Sequence, residues 1–146
     1  MANVIVVFAS MTGNTEEMAE AIADGIREAG HEITLKSSMD ASASELTEYD
    51  GVVLGAYTWG DGDLPDEFLD LYEEMDDIDL TNKKSAAFGS CDSSYSEYGA
   101  AVDTLVTKLK ELGAEVVLEG LKIELTPSNE EKEQCKEFGR QFAAAL

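Results

Sequence analysis

The segment from Ser10 to Thr15, which is small and polar except for Met11, has the composition of a turn that holds a phosphate group. They follow the apolar run Val4–Ala9, which predicts a buried parallel strand, and they precede a segment whose apolar residues recur every four positions, as in a helix. Such a turn aims backbone N–H groups and the positive helix end at one small volume, where a phosphate dianion fits. The same residue types also form an ordinary helix N-cap, so this stretch alone leaves both interpretations open.

Two further loops carry aromatic side chains close to glycines. One follows the apolar segment Val52–Tyr57 and holds the only tryptophan, Trp59, and the other begins at Ser90, after the predicted strand Ser85–Gly89. A phosphate turn beside Trp59 and Tyr95 would suit a flat aromatic ligand with a phosphate tail. Taken singly, the tryptophan would equally suit the core and the tyrosine a solvated helix start.

The three loops are positioned by strands and helices that alternate along one predicted domain, residues 1–146. Alternation of this kind predicts an α/β fold with a parallel sheet, right-handed crossovers and ligands bound beyond the carboxyl ends of the strands. Ser128 and Glu131 predict a capping box for the last helix, and the connector 37–47 is predicted to be a loop. The predicted strands are Val4–Ala9, His31–Lys36, Val52–Tyr57, Ser85–Gly89 and a fifth with an irregularity at Gly120, made of Val116–Leu118 and Leu121–Ile123.

The composition is strongly acidic, with 31 Asp and Glu against 10 Lys and Arg, a net charge of −21 and a pI near 4.1. This balance disfavours nucleic acid and anionic membranes, whose phosphates must be neutralised by Lys and Arg, and it favours basic protein partners. Solubility or adaptation to salt would produce the same acidity. No window reaches the roughly 20 apolar residues of a membrane helix, and no basic segment precedes the first apolar run, so we expect a cytoplasmic protein.

Metal-ligating residues are few and scattered. His31 is the only histidine, and Cys91 and Cys135 fall in different predicted elements without a metal-type spacing. We therefore expect no transition-metal site and two reduced thiols.

Three motifs together resemble the flavodoxin family: Ser-x-Thr-Gly-Asn-Thr after the first strand, Thr-Trp-Gly-Asp after the third and Asp-Ser-Ser-Tyr after the fourth. The resemblance runs the length of the chain, and the uninterrupted segment 121–125 is similar to that of short-chain flavodoxins. It implies non-covalently bound FMN. It also implies a three-layer αβα sandwich whose five-stranded parallel sheet has the order 2-1-3-4-5, for which flavodoxin is itself the standard example.

The resemblance also implies the binding residues. Side chains and backbone of the first motif would hold the FMN phosphate, Trp59 and Tyr95 would flank the isoalloxazine ring, and backbone groups of the second and third loops would meet the ring edge. Cys91 and Tyr57 depart from the glycine and the smaller residue that are common in the family. The implied cofactor-binding residues are Ser10, Met11, Thr12, Gly13, Asn14, Thr15, Thr58, Trp59, Gly60, Asp61, Ser90, Cys91, Asp92 and Tyr95.

The implied function is electron transport by a monomeric flavoprotein that is not an enzyme. It would carry single electrons between an NAD(P)H-dependent flavodoxin reductase and acceptor oxidoreductases. A low potential is expected, because a carboxylate about 10 Å from an anionic reduced flavin costs roughly 1.7 kcal/mol at an effective dielectric of about 20. The acidic residues that flank the proposed site are Asp61, Asp63, Asp66, Glu67, Asp70, Glu73 and Glu74.

Other functions are compatible with the same sheet. A flavoprotein activator, or an FMN-dependent reductase of a small substrate, would use the same cofactor, although no His or Lys lies in the three loops to serve a substrate. An interaction-only domain would bind no flavin. A phosphoacceptor signalling module is disfavoured, because Ala9-Ser10-Met11 stands where paired acids would have to bind Mg²⁺.

Overall fold

The computed structural model describes residues 2–10, 13–58, 64–91, 99–124 and 127–146. Among the helices described, none combines the length and the apolar character needed to cross a bilayer. The strands are β1 (Asn3–Ala9), β2 (Glu32–Ser37), β3 (Gly51–Ala56), β4 (Lys84–Cys91), β5 (Glu115–Val116) and β6 (Leu121–Glu124). The helices are α1 (Asn14–Glu28), α2 (Ala43–Leu46), α3 (Asp66–Glu74), which continues as a 3-10 turn (Met75–Asp77), α4 (Ala100–Glu111) and α5 (Asn129–Ala144).

The strands form one parallel sheet in the order β2-β1-β3-β4-β5, which confirms the predicted order. The fifth strand is in two pieces, since β5 pairs with the start of β4 and the small extra strand β6 pairs with its end. The interruption includes Gly120, where an irregularity was expected. A Cβ on this glycine would lie 2.6 Å from Val102 Cγ1, so the backbone passes close to α4.

The sheet lies between two helical layers. Every residue from Val4 to Val7 is fully buried, and alternate side chains face opposite layers. Val4 and Val6 pack in a core with α1 and α5, whereas Ile5 and Val7 pack in a second core with α2, α3 and α4. This two-sided burial explains why the first strand is a continuous apolar run, and it confirms the predicted αβα sandwich.

A local signal determines the start of the last helix, as predicted. The Ser128 hydroxyl accepts a hydrogen bond from the Glu131 N–H at 3.2 Å, and the Glu131 carboxylate accepts one from the Ser128 N–H at 3.0 Å, so the capping box is present. Helix α1 ends just before Gly30, which has a φ of +94°.

Apart from shifts of one or two residues at other strand ends, two elements differ from the prediction. The connector expected to be a loop contains α2, because Ala43 and Leu46 are buried against the sheet. Strand β4 extends beyond Gly89 through Ser90 and Cys91, because these two residues pair with the edge segment β6. Both differences arise from contacts with distant parts of the chain.

Candidate functional site

The candidate site lies where the order of the strands reverses. β1 and β3 are neighbours at the centre of the sheet, with Ala9 paired to Ala56, yet α1 leads from β1 to β2 on the opposite side. Parallel sheets bind ligands at such a switch point, beyond the carboxyl ends of the strands. Ser10 and Thr58 follow the two central strands at this edge, and Cys91 ends β4 there.

The turn after β1 is shaped by one serine and one glycine. The Ser10 hydroxyl accepts a hydrogen bond from the Gly13 N–H at 3.0 Å, and Gly13, at φ +92° and ψ −8°, is the N-cap of α1. The first helical bond runs from the Glu17 N–H to the Gly13 carbonyl at 2.9 Å. Because a glycine cannot cap with a side chain, α1 begins without a side-chain cap.

The turn suits an anion held by dipoles. No Lys or Arg precedes Arg27 in the sequence, so N–H groups and hydroxyls must provide the attraction. A Cβ on Gly13 would meet no described atom within 4 Å, which leaves open space beside the turn. Glu17 in the first turn opposes an anion, but it pairs with Lys132 Nζ at 3.5 Å. These donors and this space fit a phosphate group.

Two buried hydrogen bonds bring the predicted segments together. Thr15 Oγ1 lies 2.8 Å from Ser90 Oγ, and this pair joins the start of α1 to the end of β4. Thr58 Oγ1 accepts a hydrogen bond from the Ala101 N–H at 3.2 Å, so it supplies the start of α4 with a cap from beyond the end of β3. The hydroxyls of Thr15, Thr58 and Ser90 thus hold the walls of the site together. The same hydroxyls are available to a ligand.

Cys91 has the environment of a structural thiol. It is almost fully buried, and its S–H donates to the Gly89 carbonyl at 3.6 Å. Burial raises the pKa of the Cys91 thiol to about 11. The thiol is therefore protonated at neutral pH and does not act as a nucleophile.

Tyr57 makes a contact that sequence reasoning missed. Its hydroxyl donates to Glu67 Oε2 at 2.6 Å, which ties the end of β3 to the first turn of α3. Burial and the Glu67 carboxylate both raise the pKa of Tyr57. In the sequence the two residues are ten positions apart and no motif links them. The available signal was that Tyr57 is large where a smaller residue is common, and this did not indicate Glu67 as its partner.

The structure describes half of the predicted cofactor-binding residues. Those present at the carboxyl edge are Ser10, Gly13, Asn14, Thr15, Thr58, Ser90 and Cys91. The predictions for Met11, Thr12, Trp59, Gly60, Asp61, Asp92 and Tyr95 lie outside the described residues. Within the described ranges, no three His, Cys, Asp or Glu side chains are grouped to hold a metal ion.

The fold and the position of the site define an α/β protein of the flavodoxin-like class. The family model described as Flavodoxin matches residues 6–139. Probable flavodoxin 2 of Bacillus subtilis (strain 168) is 51% identical over 144 residues, covering 98% of this chain and 95% of that protein. Oxidised flavodoxin 1 from Bacillus cereus, in its crystal structure, is 60% identical with a TM-score of 0.96, covering 99% of each chain.

A second structure agrees. Oxidised flavodoxin 2 from Bacillus cereus is 44% identical with a TM-score of 0.96, covering 99% of this chain and 100% of that one. The chain therefore belongs to the flavodoxin family. Flavodoxins are FMN-binding electron carriers and not substrate-specific enzymes, and they act as redox partners of reductases and acceptors.

Proposed function

We propose that this chain is a low-potential carrier that moves single electrons between a reductase and acceptor redox proteins on non-covalently bound FMN. The observation that carries the proposal is the meeting of two segments at the switch point: the start of α1, which lacks a side-chain cap, and the end of β4, joined by the buried Thr15–Ser90 pair. Helix dipole, N–H donors and hydroxyls at one point are the features that recognise a phosphate tail.

The proposed binding residues divide between the two ends of the cofactor. Bound FMN supplies reversible one-electron chemistry, and the chain binds it, orients it and excludes water. For the phosphate we propose Ser10, Met11, Thr12, Gly13, Asn14 and Thr15. For the ring we propose Thr58, Trp59, Gly60, Asp61, Ser90, Cys91, Asp92 and Tyr95.

The proposed low potential is supported by the charges on α3. Asp66, Asp70, Glu73 and Glu74 are exposed, and Tyr57 fixes the carboxylate of Glu67. Within the described ranges, none of these five acids forms an ion pair. Uncompensated negative charge near a flavin opposes the addition of electrons, most strongly when the product is itself an anion.

The opposite helical layer differs in its charge pairing. On α5, Lys132, Lys136 and Arg140 all pair with acids of α1 or of α5 itself. No Lys or Arg occurs between Lys36 and Lys83, the part of the chain that contains α2 and α3. Two lysines from outside this part reach it, Lys36, which pairs with Glu45 of α2, and Lys108, which pairs with Asp76 after α3, and neither pairs with an acid of α3. We therefore propose that basic redox partners, such as an NAD(P)H-dependent flavodoxin reductase, approach the α3 side.

We also propose a single cytoplasmic domain, residues 1–146, that works as a monomer. The net charge of −21 supports the monomer, because like-charged copies repel one another. Two free, buried cysteines, Cys91 and Cys135, suit a reducing compartment.

A flavin titration followed by spectroelectrochemistry tests the proposal. We expect the cofactor-free protein to bind one FMN per chain, and the loaded protein to show two separated one-electron potentials, the lower one well below that of free FMN. A protein that binds no flavin would be an interaction domain. A single two-electron step at the potential of free FMN would contradict the carrier function.

A further inference from the structure

The hydrogen bond of the buried hydroxyl pair Thr15–Ser90 can run in either direction. The two oxygen atoms are 2.8 Å apart, and the residues are 1% and 7% exposed. Each hydroxyl has one hydrogen, so one of the pair donates and the other accepts. With Thr15 as donor, its remaining lone pairs would face a ligand; with Ser90 as donor, Thr15 would keep its hydrogen for a further bond.

A phosphate dianion only accepts hydrogen bonds. It therefore favours the arrangement in which Ser90 donates to Thr15 and Thr15 donates onward. A hydroxyl that accepts a hydrogen bond is also a stronger donor, because hydrogen bonds in a chain polarise one another. The backbone of Ser90 is held by the pairing of β4 with Ile123 of β6, so its side chain starts from a fixed place.

We propose that the side chain of Ser90 is a positioning residue for the cofactor phosphate, acting through the hydroxyl of Thr15. This inference rests on the proposed FMN function, and it assigns Ser90 a role at the phosphate in addition to the backbone contact proposed at the ring. It also makes β4 part of phosphate recognition, although that strand lies 75 residues along the chain from the turn.

Riboflavin separates the two roles, because it carries the same ring as FMN without the phosphate. We expect Ser90→Ala, which loses the hydrogen bond to Thr15, to weaken FMN binding about three- to tenfold. Thr15→Val, which loses the hydrogen bond to the charged phosphate, should weaken it about ten- to hundredfold. Riboflavin affinity should change less than about twofold in both variants. The double variant should bind FMN no more weakly than Thr15→Val alone, because Ser90 acts through Thr15.

Ser85→Ala is the matched control. Ser85 is a fully buried serine at the other end of β4, where its hydroxyl donates to the Glu115 carbonyl at 3.2 Å. Its loss removes a comparable buried hydrogen bond far from the turn, so the ratio of FMN to riboflavin affinity should stay at the wild-type value. Thermal melting of each cofactor-free variant shows whether it folds, and if Ser90→Ala does not, Ser90→Cys, with a much weaker donor, should show the same selective loss.

Three results would overturn the inference. An equal loss of FMN and riboflavin affinity in Ser90→Ala, or in Ser90→Cys in its place, would assign the side chain to the ring or to the fold. The two single effects on FMN could multiply in the double variant, which would make the hydroxyls independent. Wild-type FMN affinity in both Ser90 variants would leave the pair without a role. A wild-type protein that binds neither flavin would instead refute the proposed function itself.

Discussion

At the scale of single residues, Gly13 contributes through its backbone. Its φ of +92° turns the chain from β1 into α1, a conformation that L side chains avoid. A Cβ at this position would meet no described atom within 4 Å, so strain and not collision decides what a substitution does. Position 13 is therefore sensitive to backbone conformation and not to contact with the described atoms.

We predict that Gly13→Ala lowers the free energy of unfolding by about 1–2 kcal/mol and weakens FMN binding. The strain is relieved when the turn relaxes, and relaxation moves the N–H groups away from the phosphate. Urea unfolding and FMN titration measure the two effects.

Gly30→Ala is the control for this substitution. Gly30 has a φ of +94° and equally open surroundings, but it lies at the other end of α1. It should lose similar stability while keeping wild-type FMN affinity. Equal FMN affinity in the two variants would contradict the role of the Gly13 turn.

The predictability of the site depended on the distance between partners in the sequence. The contact between Ser10 and Gly13 closes within four residues, in a segment whose composition predicted a turn, although the hydrogen bond itself was not predicted. The pairs Thr15–Ser90 and Thr58–Ala101 are separated by 75 and 43 residues. Thr15, Thr58 and Ser90 were predicted as site residues and Ala101 was not, because only the packing of the sheet and helices decides which hydroxyl meets which group.

At the scale of elements, local sequence patterns were again predictable and long-range contacts were not. The two-sided burial of β1 and the capping box of α5 follow from short local sequence patterns and were predicted. Helix α2 and the last two residues of β4 exist because a neighbouring element covers or pairs with them. Local composition there was polar or small, so it gave no signal for regular structure.

The contact between α1 and α5 depends on two glycines. A Cβ on Gly25 would lie 2.1 Å from the Lys136 carbonyl oxygen, and one on Gly139 would lie 2.2 Å from the Ile22 carbonyl oxygen. These neighbours are backbone atoms of helices, which cannot rotate away. The two helices are therefore packed as closely as their backbones allow.

We predict that Gly139→Ala destabilises the protein by about 1–3 kcal/mol, as overpacking does. Helix propensity alone would give the opposite sign, a gain of about 1 kcal/mol, so the sign of the change in urea unfolding decides between the two effects. Gly25→Ala should also be destabilising. The double variant should lose less stability than the two single variants together, because the first substitution already separates the helices. A stabilised Gly139→Ala protein would refute the close crossing.

At the scale of the whole molecule, two buried thiols and one partly buried tyrosine make stability depend on alkaline pH. Burial raises the pKa of Cys135 to about 12 and that of Cys91 to about 11, and the pKa of Tyr57 is also raised. Unfolded thiols ionise near 8.5 and tyrosines near 10. The folded chain thus keeps protons that the unfolded chain has released. The stabilisation is complete below about pH 8.5 and is lost as the pH rises toward the folded values.

We predict that Cys135→Ala flattens this loss. Each group that titrates only in the unfolded chain contributes a slope of about 1.4 kcal/mol per pH unit. Between about pH 9 and pH 11 the variant should therefore lose less stability per pH unit than the wild type, by up to that amount. The cavity left by the thiol shifts the whole curve downward but does not change its slope. Parallel curves from urea unfolding would show that Cys135 is not a source of the pH dependence.

The acids of α3 should lower the redox potential of bound FMN. We expect the triple variant Asp70→Asn, Glu73→Gln, Glu74→Gln to raise the lower potential of the FMN-loaded protein by tens of millivolts. One charge at about 10 Å is worth on the order of 70 mV at an effective dielectric of about 20, and salt reduces this. Electron transfer to a basic acceptor should also become slower at low salt and depend less on ionic strength.

A triple variant elsewhere on the surface separates local from global charge. Glu20→Gln, Glu32→Gln and Glu111→Gln remove the same charge from exposed positions on α1, β2 and α4. If the field near α3 sets the potential, this control should shift it much less and should leave the salt dependence of the rate close to wild type, since charges farther than a Debye length are largely screened. Equal shifts of the potential in the two variants would mean that net charge alone acts. If the potential shifts in neither variant, the acids of α3 do not cause the low potential.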